Sequence, residues 1–275
     1  SGAGYNLYCP CGLHPCIWLG SYCVFSFLQW EDLSSLYKIA FNGLVKIAAF
    51  DTSSNSGSIA LLEDRRLISE LTIADVGAHS QWLMRQFDEL LKRAGCPVEE
   101  IDLFAVAIGP GSFTGLRIGL SAVKGLAWAM SRNVAPVSTL NALALNLRYS
   151  RFPVCPVLDA RKGEVYAALY GCEGEGASPV ELIKECVCPP DELFLRIKAL
   201  RLSTPIIFLG NGLKVYEKAI RDNVEQAIIA PEPLMYVKAS NVGLAAFEDI
   251  AAALTPIRLT PVYLRKSEAE ITKKG

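Results

Sequence analysis

The chain has 275 residues, 51% hydrophobic and 20% charged, with 27 basic and 28 acidic side chains. A chain of this length buries roughly three quarters of its unfolded surface, as one large domain or two lobes, and its apolar content excludes intrinsic disorder. A formal net charge of −1 argues against a protein whose main task is gripping nucleic acid, which needs a basic surface, and leaves room for a local basic patch.

Residues 1–44 form an atypical leader, rich in Cys, Trp, Tyr and Phe, almost uncharged, and without a 3.6 or 2 residue period. The mean hydropathy of +0.29 directs attention to a membrane span. The best candidate, Cys16 to Trp30, is shorter than the roughly 20 apolar residues a bilayer requires. It contains Ser21, Ser26 and Gln29, and no positive n-region precedes it, so it does not read as a secretory signal. A soluble, cytoplasmic protein without membrane contact is expected. Of nine cysteines, Cys9, Cys11, Cys16 and Cys23 cluster here near His14. Their C-x-C-x4-C-x6-C spacing fits no paired zinc pattern, and reduced thiols are expected rather than a metal knuckle. An odd count without a secretory signal also argues against a disulfide framework. Val45 is a candidate start read as Val, with the leader then lying upstream of the natural protein.

From Val45 the pattern is orderly. Strands are predicted at 46–50, 57–63 and 67–73, and a helix from about 78 to 94, stopped by Gly95 and Pro97. A buried strand at 103–108, a Gly-Pro-Gly turn, a helix at about 112–131, a strand at 134–137 and a helix at 139–148 complete the first half. The second half repeats the theme: strands near 154–158, 164–170 and 181–187, a helix after Pro190, a strand at 205–209, and helices at 211–221 and 240–253. Three meander strands followed by alternating helix and strand, twice over, predict two α/β lobes with mixed sheets flanked by helices. The expected division is a leader at 1–44, an N-terminal lobe at 45–150, and a C-terminal lobe with tail at 151–275.

Asp51, Thr52, Ser53 and Ser54 end the first strand in a tight turn. In two-lobed nucleotide-binding folds such a turn meets phosphate and a metal-bound water; the plainer reading is an Asx or Ser turn capping its own backbone. The run Gly109-Pro110-Gly111-Ser112-Phe113-Thr114-Gly115-Leu116-Arg117 joins a strand to a helix whose first N–H groups would suit an anion. It is neither a Walker A loop nor a G-x-G-x-x-G fingerprint, and a helix cap with glycines for a sharp turn explains it equally well.

On the first helix, Leu83, Phe87, Leu90, Leu91 and Ala94 form the core stripe, leaving Trp82 on the polar side with Arg85, Gln86 and Glu89. A tryptophan there is a rim contact within the fold or an interface anchor. On the second helix, Leu116, Leu120, Val123, Leu126 and Met130 face a core. Ile118, Ala122, Gly125 and Ala129 make a separate, mostly small stripe that lets another helix approach closely. That helix is either the first one of the same lobe or a second protein.

Catalytic chemistry is not found. His14 and His79 are the chain's two histidines, so a histidine-based metal cluster within the folded region is impossible. No oriented acid supports Ser–His chemistry, no C-x-x-C pair exists, and Cys186-Val187-Cys188 reads as structural.

Five stretches in order resemble the TsaB (YeaZ) family over about 46–267: Lys46 to Ser53, Ala78-His79-Ser80, Gly109 to Gly119, Leu158 to Tyr166, and Pro261 to Arg265. The resemblance implies a two-lobed fold of the actin/Hsp70/sugar-kinase type with ribonuclease H-like lobes. It implies a non-catalytic scaffold for the TsaD transferase, which forms N6-threonylcarbamoyladenosine at position 37 of ANN-reading tRNAs. A TsaE-like P-loop ATPase joins that complex, a homodimer is the alternative pairing, and a separate synthase supplies the adenylate. In the family the first two helices dock the partner. That assigns partner binding to His79, Trp82, Arg85, Gln86, Glu89, Ile118, Ala122, Gly125 and Ala129. Asp51, Thr52, Ser53, Gly109, Gly111 and Ser112 become a vestigial nucleotide cleft, with no cofactor beyond weak residual nucleotide and no metal. TsaD-like transferases carry a metal-binding H-x-x-x-H where this chain has Thr139 and Leu143, neither an imidazole substitute. Contact with tRNA is expected only indirectly, through Arg117, Lys124, Arg161 and Lys162 in an assembled complex. The competing classes are a small-molecule kinase of the same superfold, lacking an acceptor base, and a peptidase, lacking metal site and triad.

Overall fold

The computed structural model describes residues 17–19, 22–24, 43–77, 79–171 and 179–265. In the leader, strands β1 (Ile17–Leu19) and β2 (Tyr22–Val24) pair antiparallel as a small hairpin. The expected thiol cluster at Cys9, Cys11 and Cys16 lies outside the described residues. Among the described residues no group of His, Cys, Asp and Glu is arranged to hold a metal ion, and no helix is long and apolar enough to cross a membrane.

Two five-stranded sheets carry the fold. The first has the order β5-β4-β3-β6-β7, formed by β3 (Lys46–Asp51), β4 (Gly57–Glu63), β5 (Arg66–Ile73), β6 (Leu103–Gly109) and β7 (Asn133–Ser138). β3 pairs antiparallel with β4 and parallel with β6, so both of its edges are bonded; its alternate residues enter cores on opposite faces of the sheet, Ile47 and Ala49 on one and Ala48 and Phe50 on the other, and all four are wholly buried. That double burial is why β3 and β6 read as continuous apolar runs rather than alternating ones. β5 lies at the edge and is largely exposed.

The second sheet repeats the scheme as β10-β9-β8-β11-β12, from β8 (Val154–Arg161), β9 (Glu164–Gly171), β10 (Val180–Cys188), β11 (Ile206–Leu209) and β12 (Ala227–Ile229). β8–β9–β10 are antiparallel and β8–β11–β12 parallel, as in the first lobe. The two-lobed actin-like architecture is thus present. β12 has no counterpart among the predicted elements; it is three residues long and only partly buried, too short to show a period.

Helices α1 (His79–Ala94) and α2 (Phe113–Ala129) cover the outer face of the first sheet. Leu83, Phe87, Leu90 and Leu91 of α1 and Leu120 and Val123 of α2 share a core with Phe50 and Phe104. Phe50 meets Phe87 edge to face at 4.9 Å, an arrangement worth about 0.5–1.5 kcal/mol beyond its buried area. On the far side, α4 (Pro190–Ala199) and α5 (Leu213–Asn223) cover the second sheet.

Between the sheets lie α3 (Thr139–Ala144) and α6 (Ala239–Glu248), in a core shared by both lobes that includes Ala49, Leu62, Leu143, Leu158, Tyr170, Val242 and Ala246. α6 packs on the first sheet, although the expected division places it in the second lobe. A Cβ at Gly243 would meet Leu62 Cδ1 at 2.4 Å, the Ala239 N–H donates to Ser58 Oγ at 2.9 Å, and the Ser240 N–H donates to Glu70 Oε1 at 2.8 Å. The tail follows: Leu259 is buried in the outer core, and the Val262 N–H donates to the Ile108 carbonyl at 2.9 Å. Periodicity shows that a helix has a small apolar face but not which sheet it covers, so residues 239–263 could not be assigned to the first lobe from the sequence.

Candidate functional site

The turn after β3 and the turn before α2 are docked onto each other. Ser112 caps α2, its Oγ accepting from the Gly115 N–H at 3.3 Å, while the Ser112 N–H donates to the Ser53 carbonyl at 2.7 Å. Thr52 Oγ1 donates to the Gly115 carbonyl at 2.8 Å. A Cβ at Gly111 would lie 2.2 Å from Ser53 O, at Gly115 2.1 Å from Thr52 O, and at Gly119 2.3 Å from Thr52 Oγ1. These glycines therefore let one backbone press against another. The anion cradle expected at this helix start is partly used up by the chain itself, since the Ser112 and Gly115 N–H groups already have partners.

Asp51 is completely buried. Its Oδ1 accepts from the Ser53 N–H at 3.1 Å, and its Oδ2 has no partner among the described residues. Burial pushes its carboxyl up to about 6, against the opposing pull of the Ser53 bonds. Thr52 and Gly109 are buried beside it. At Gly109, φ is +120°, and a Cβ would meet Val262 O at 2.6 Å.

Gly111 and Ser112 reach open space, whereas Ser53 is buried at the wall of the same space, its Oγ without a partner among the described residues. All three line a cleft of about 660 Å³ between the lobes, opposite Asp159, Arg161, Lys162 and Asn211 and beside Tyr263 and Arg265 of the tail. Arg117 lies 3.7 Å over the Phe113 ring and donates through Nε to Tyr263 Oη at 3.2 Å. Arg265 pairs with Glu164 at 3.3 Å and donates to the Ala160 carbonyl at 3.1 Å, so the tail ties the second lobe to the mouth of the cleft. Arg161 pairs with Asp159 at 3.2 Å. Tyr263, Arg265 and Asn211 carry no cleft signature in the sequence, because nothing local brings positions so far apart together.

The outer faces of α1 and α2 form the second candidate region. Gly125 and Ala129 are exposed, and nothing lies within 4 Å of a Cβ built on Gly125. Ile118 and Ala122 are half-buried, and Ala122 packs on the outer core. The small stripe is thus divided along its length between lobe and solvent. Arg85 is exposed and pairs with Glu89 at 3.3 Å, a solvated i,i+4 pair; Gln86 is half-buried beside it. His79 opens α1, and its side chain lies outside the described residues.

Trp82 makes a contact within the fold, the first of its two readings. Instead of projecting among polar neighbours, it is half-buried, with its ring 2.9 Å from where a Gly57 Cβ would stand and with Val76 on the same socket. The missing side chain at Gly57 opens a hole in the sheet that the indole fills, which helical periodicity cannot reveal. Its Nε1 is buried without a partner among the described residues. The exposed aromatic is Trp128, 69% accessible, with Met84 at 42% on the neighbouring helix. Trp128 follows Gly125 by three positions, and that spacing was the available signal.

Thr139 and Leu143 are both fully buried, one helical turn apart on α3. Leu143 Cδ2 lies 3.1 Å from a Cβ built on Gly210, so hydrocarbon packs where an imidazole pair would have to stand.

A family model described as TsaD, tRNA N6-adenosine threonylcarbamoyltransferase, matches residues 71–273. The chain is 31% identical over 229 residues to the Bacillus subtilis tRNA threonylcarbamoyladenosine biosynthesis protein TsaB, covering 82% of this chain and 96% of that one. For the Haemophilus influenzae protein of the same name the values are 30% over 240 residues, 83% and 95%. The solved structure of YeaZ from Pseudomonas aeruginosa superposes with a TM-score of 0.65 at 28% identity, over 80% of this chain and 99% of that one. The sheet order, the docked turns and these matches agree: the chain belongs to the TsaB (YeaZ) family.

Proposed function

We propose that this protein acts in tRNA threonylcarbamoyladenosine biosynthesis as a non-catalytic subunit that docks a TsaD-like transferase through the outer faces of α1 and α2. One observation carries the reading: α2 presents an exposed Gly125 and Ala129 with open space above them and Trp128 alongside. A small-residue trough beside a large exposed aromatic is the relief that a partner helix needs for close approach and anchoring. The absence of catalytic work is supported by the buried Thr139 and Leu143, which offer no imidazole to a metal. On this reading the protein is cytoplasmic, needs no cofactor, and meets tRNA only within the assembled complex, where a TsaE-like ATPase also joins.

A kinase of the same superfold finds less support, because Asp51 is sealed from the cleft and the glycine turn is closed against Ser53. Pairing of two copies through the same helix face competes directly with pairing to the transferase. Light scattering on size-exclusion peaks tests both: the protein is run alone, with a TsaD-like transferase, and with transferase, TsaE-like ATPase and ATP. A one-to-one heterodimer that forms at the expense of any homodimer is expected. A folded protein that ignores the transferase at micromolar concentration refutes the reading.

A further inference from the structure

Outside both regions described above, the inner end of β10 carries two thiols in contact. Cys186 and Cys188 are separated by one residue on the same face of the strand, and their sulfurs stand 3.7 Å apart. Cys186 is half-buried and reachable, whereas Cys188 behind it is 2% exposed. We propose that this pair is an oxidisable dithiol, a modification site at which a hydroperoxide converts Cys186 and Cys188 into an intrachain disulfide.

The geometry supplies each requirement of that chemistry. A disulfide needs the sulfurs at about 2.05 Å, so they must close by about 1.7 Å. β10 is irregular just before the pair, its register against β9 shifting between Ile183 and Cys186. Just after it, Pro189 and Pro190 offer no N–H for a sheet ladder to hold. Cys186, Val187 and Cys188 themselves stay in register with Ala167, Tyr166 and Val165, so the paired segment that must bend to close the bond is short and the regular ladder continues past neither end of it. The nucleophile is also distinguishable from its partner. The hydrogen bond shared with Cys188, and then the Arg196 charge, hold the Cys186 thiol down to about 7 against its partial burial, while Cys188 is pushed up. Cys155, buried in the same core, is pushed up by desolvation and stays a thiol.

The steps balance as follows. The Cys186 thiolate attacks the terminal peroxide oxygen and the O–O bond breaks, leaving a sulfenic acid on Cys186; the departing oxygen is protonated and leaves as water from hydrogen peroxide or as an alcohol from an organic hydroperoxide. The Cys188 thiol then attacks that sulfur, the S–O bond breaks, and water leaves as the disulfide forms. The pair is oxidised by two electrons and the peroxide is reduced by two. A small-molecule or protein dithiol reverses the change by exchange.

The test uses the full reduced chain, titrated with hydrogen peroxide, alkylated with iodoacetamide and digested with trypsin. Lys184 and Arg196 bound a tryptic peptide, Glu185–Arg196, that holds both thiols and no other cysteine. The expected result is loss of two hydrogen masses from this peptide without alkylation, reversed by dithiothreitol. In Cys188→Ser, dimedone should accumulate on Cys186, and in Cys186→Ser, Cys188 should remain alkylatable at the same peroxide dose. The unmodified chain gives an independent reading: at pH 7, Cys186 should alkylate at least about tenfold faster than Cys96. A doubly alkylated Glu185–Arg196 peptide under peroxide that oxidises other cysteines overturns the proposal. So does a disulfide joining either thiol to a different cysteine, or alkylation of Cys186 no faster than that of Cys96.

Discussion

Replacing Gly125 by leucine separates docking from folding at one position. Gly125 sits in the interior of α2, exposed, with nothing within 4 Å of a Cβ built on it. The Cβ of a leucine there has open space around it, and removing a mid-helix glycine should stabilise the helix by about 0.8–1 kcal/mol. Against a partner helix seated on the stripe, the same side chain overfills the contact at a cost of about 1–3 kcal/mol. At 1.4 kcal/mol per decade, the dissociation constant rises roughly 5- to 150-fold. Isothermal titration against a TsaD-like transferase, paired with a thermal melt of the free protein, reads both effects. The expected result is weakened binding with an unchanged or raised melting temperature. Unchanged affinity would refute the docking assignment of this face. A lowered melting temperature would show instead that the stripe is packed within the lobe. Ala122→Arg is the poorer probe, because Ala122 already touches the outer core and arginine would disturb folding as well.

Trp128→Ala should leave the stability of the free protein within about 0.5 kcal/mol and weaken partner binding by about 2 kcal/mol or more; equal affinity by titration would remove Trp128 from the interface. Asp51→Asn should stabilise at neutral pH. The folded carboxyl titrates at about 6, above the usual unfolded range, so the favourable protonated form is held below that range and lost as pH rises through 6. Urea unfolding should show the variant ahead by about 2–3 kcal/mol at pH 7.5, with the gap closing toward pH 4; a gap independent of pH would contradict burial as the cause. Gly115→Ala should cost about 2–3 kcal/mol or more in the same assay, because its Cβ would stand 2.1 Å from a backbone carbonyl that cannot swing aside; a neutral result would mean the two turns are not docked as described.

The elements of this fold were legible where burial imposes a simple period. β3, β4 and β6 announce themselves as apolar runs, and the core stripe of α1 reads directly from Leu83, Phe87, Leu90 and Leu91. Relations between distant segments were not legible. Helical periodicity leaves Trp82 open between a rim contact and an interface anchor, because its socket is made by Gly57 on another element; the glycines of the 109–115 turn likewise fit a ligand or a sharp turn, and what closes on Gly111 and Gly115 is Ser53 and Thr52. The cleft residues Tyr263 and Arg265 reach the site only through a tail that crosses between lobes. In each case the missing information was a tertiary contact, for which a single sequence carries no local signature.

The return of α6 to the first sheet sets an order of assembly on the ribosome. Until residues 239–248 have emerged, the inner face of that sheet lacks its cover over Leu62 and Ala49, and the Ser58 hydroxyl lacks its Ala239 partner. The strands of the first sheet thus wait for a helix made only after the whole second sheet, and the nascent first sheet carries an exposed apolar face while the second is synthesised. Domain-by-domain folding, the usual protection for long chains, would leave the first sheet without its inner cover here. The protein must complete both lobes together, through contacts of high sequence separation that are slow to form.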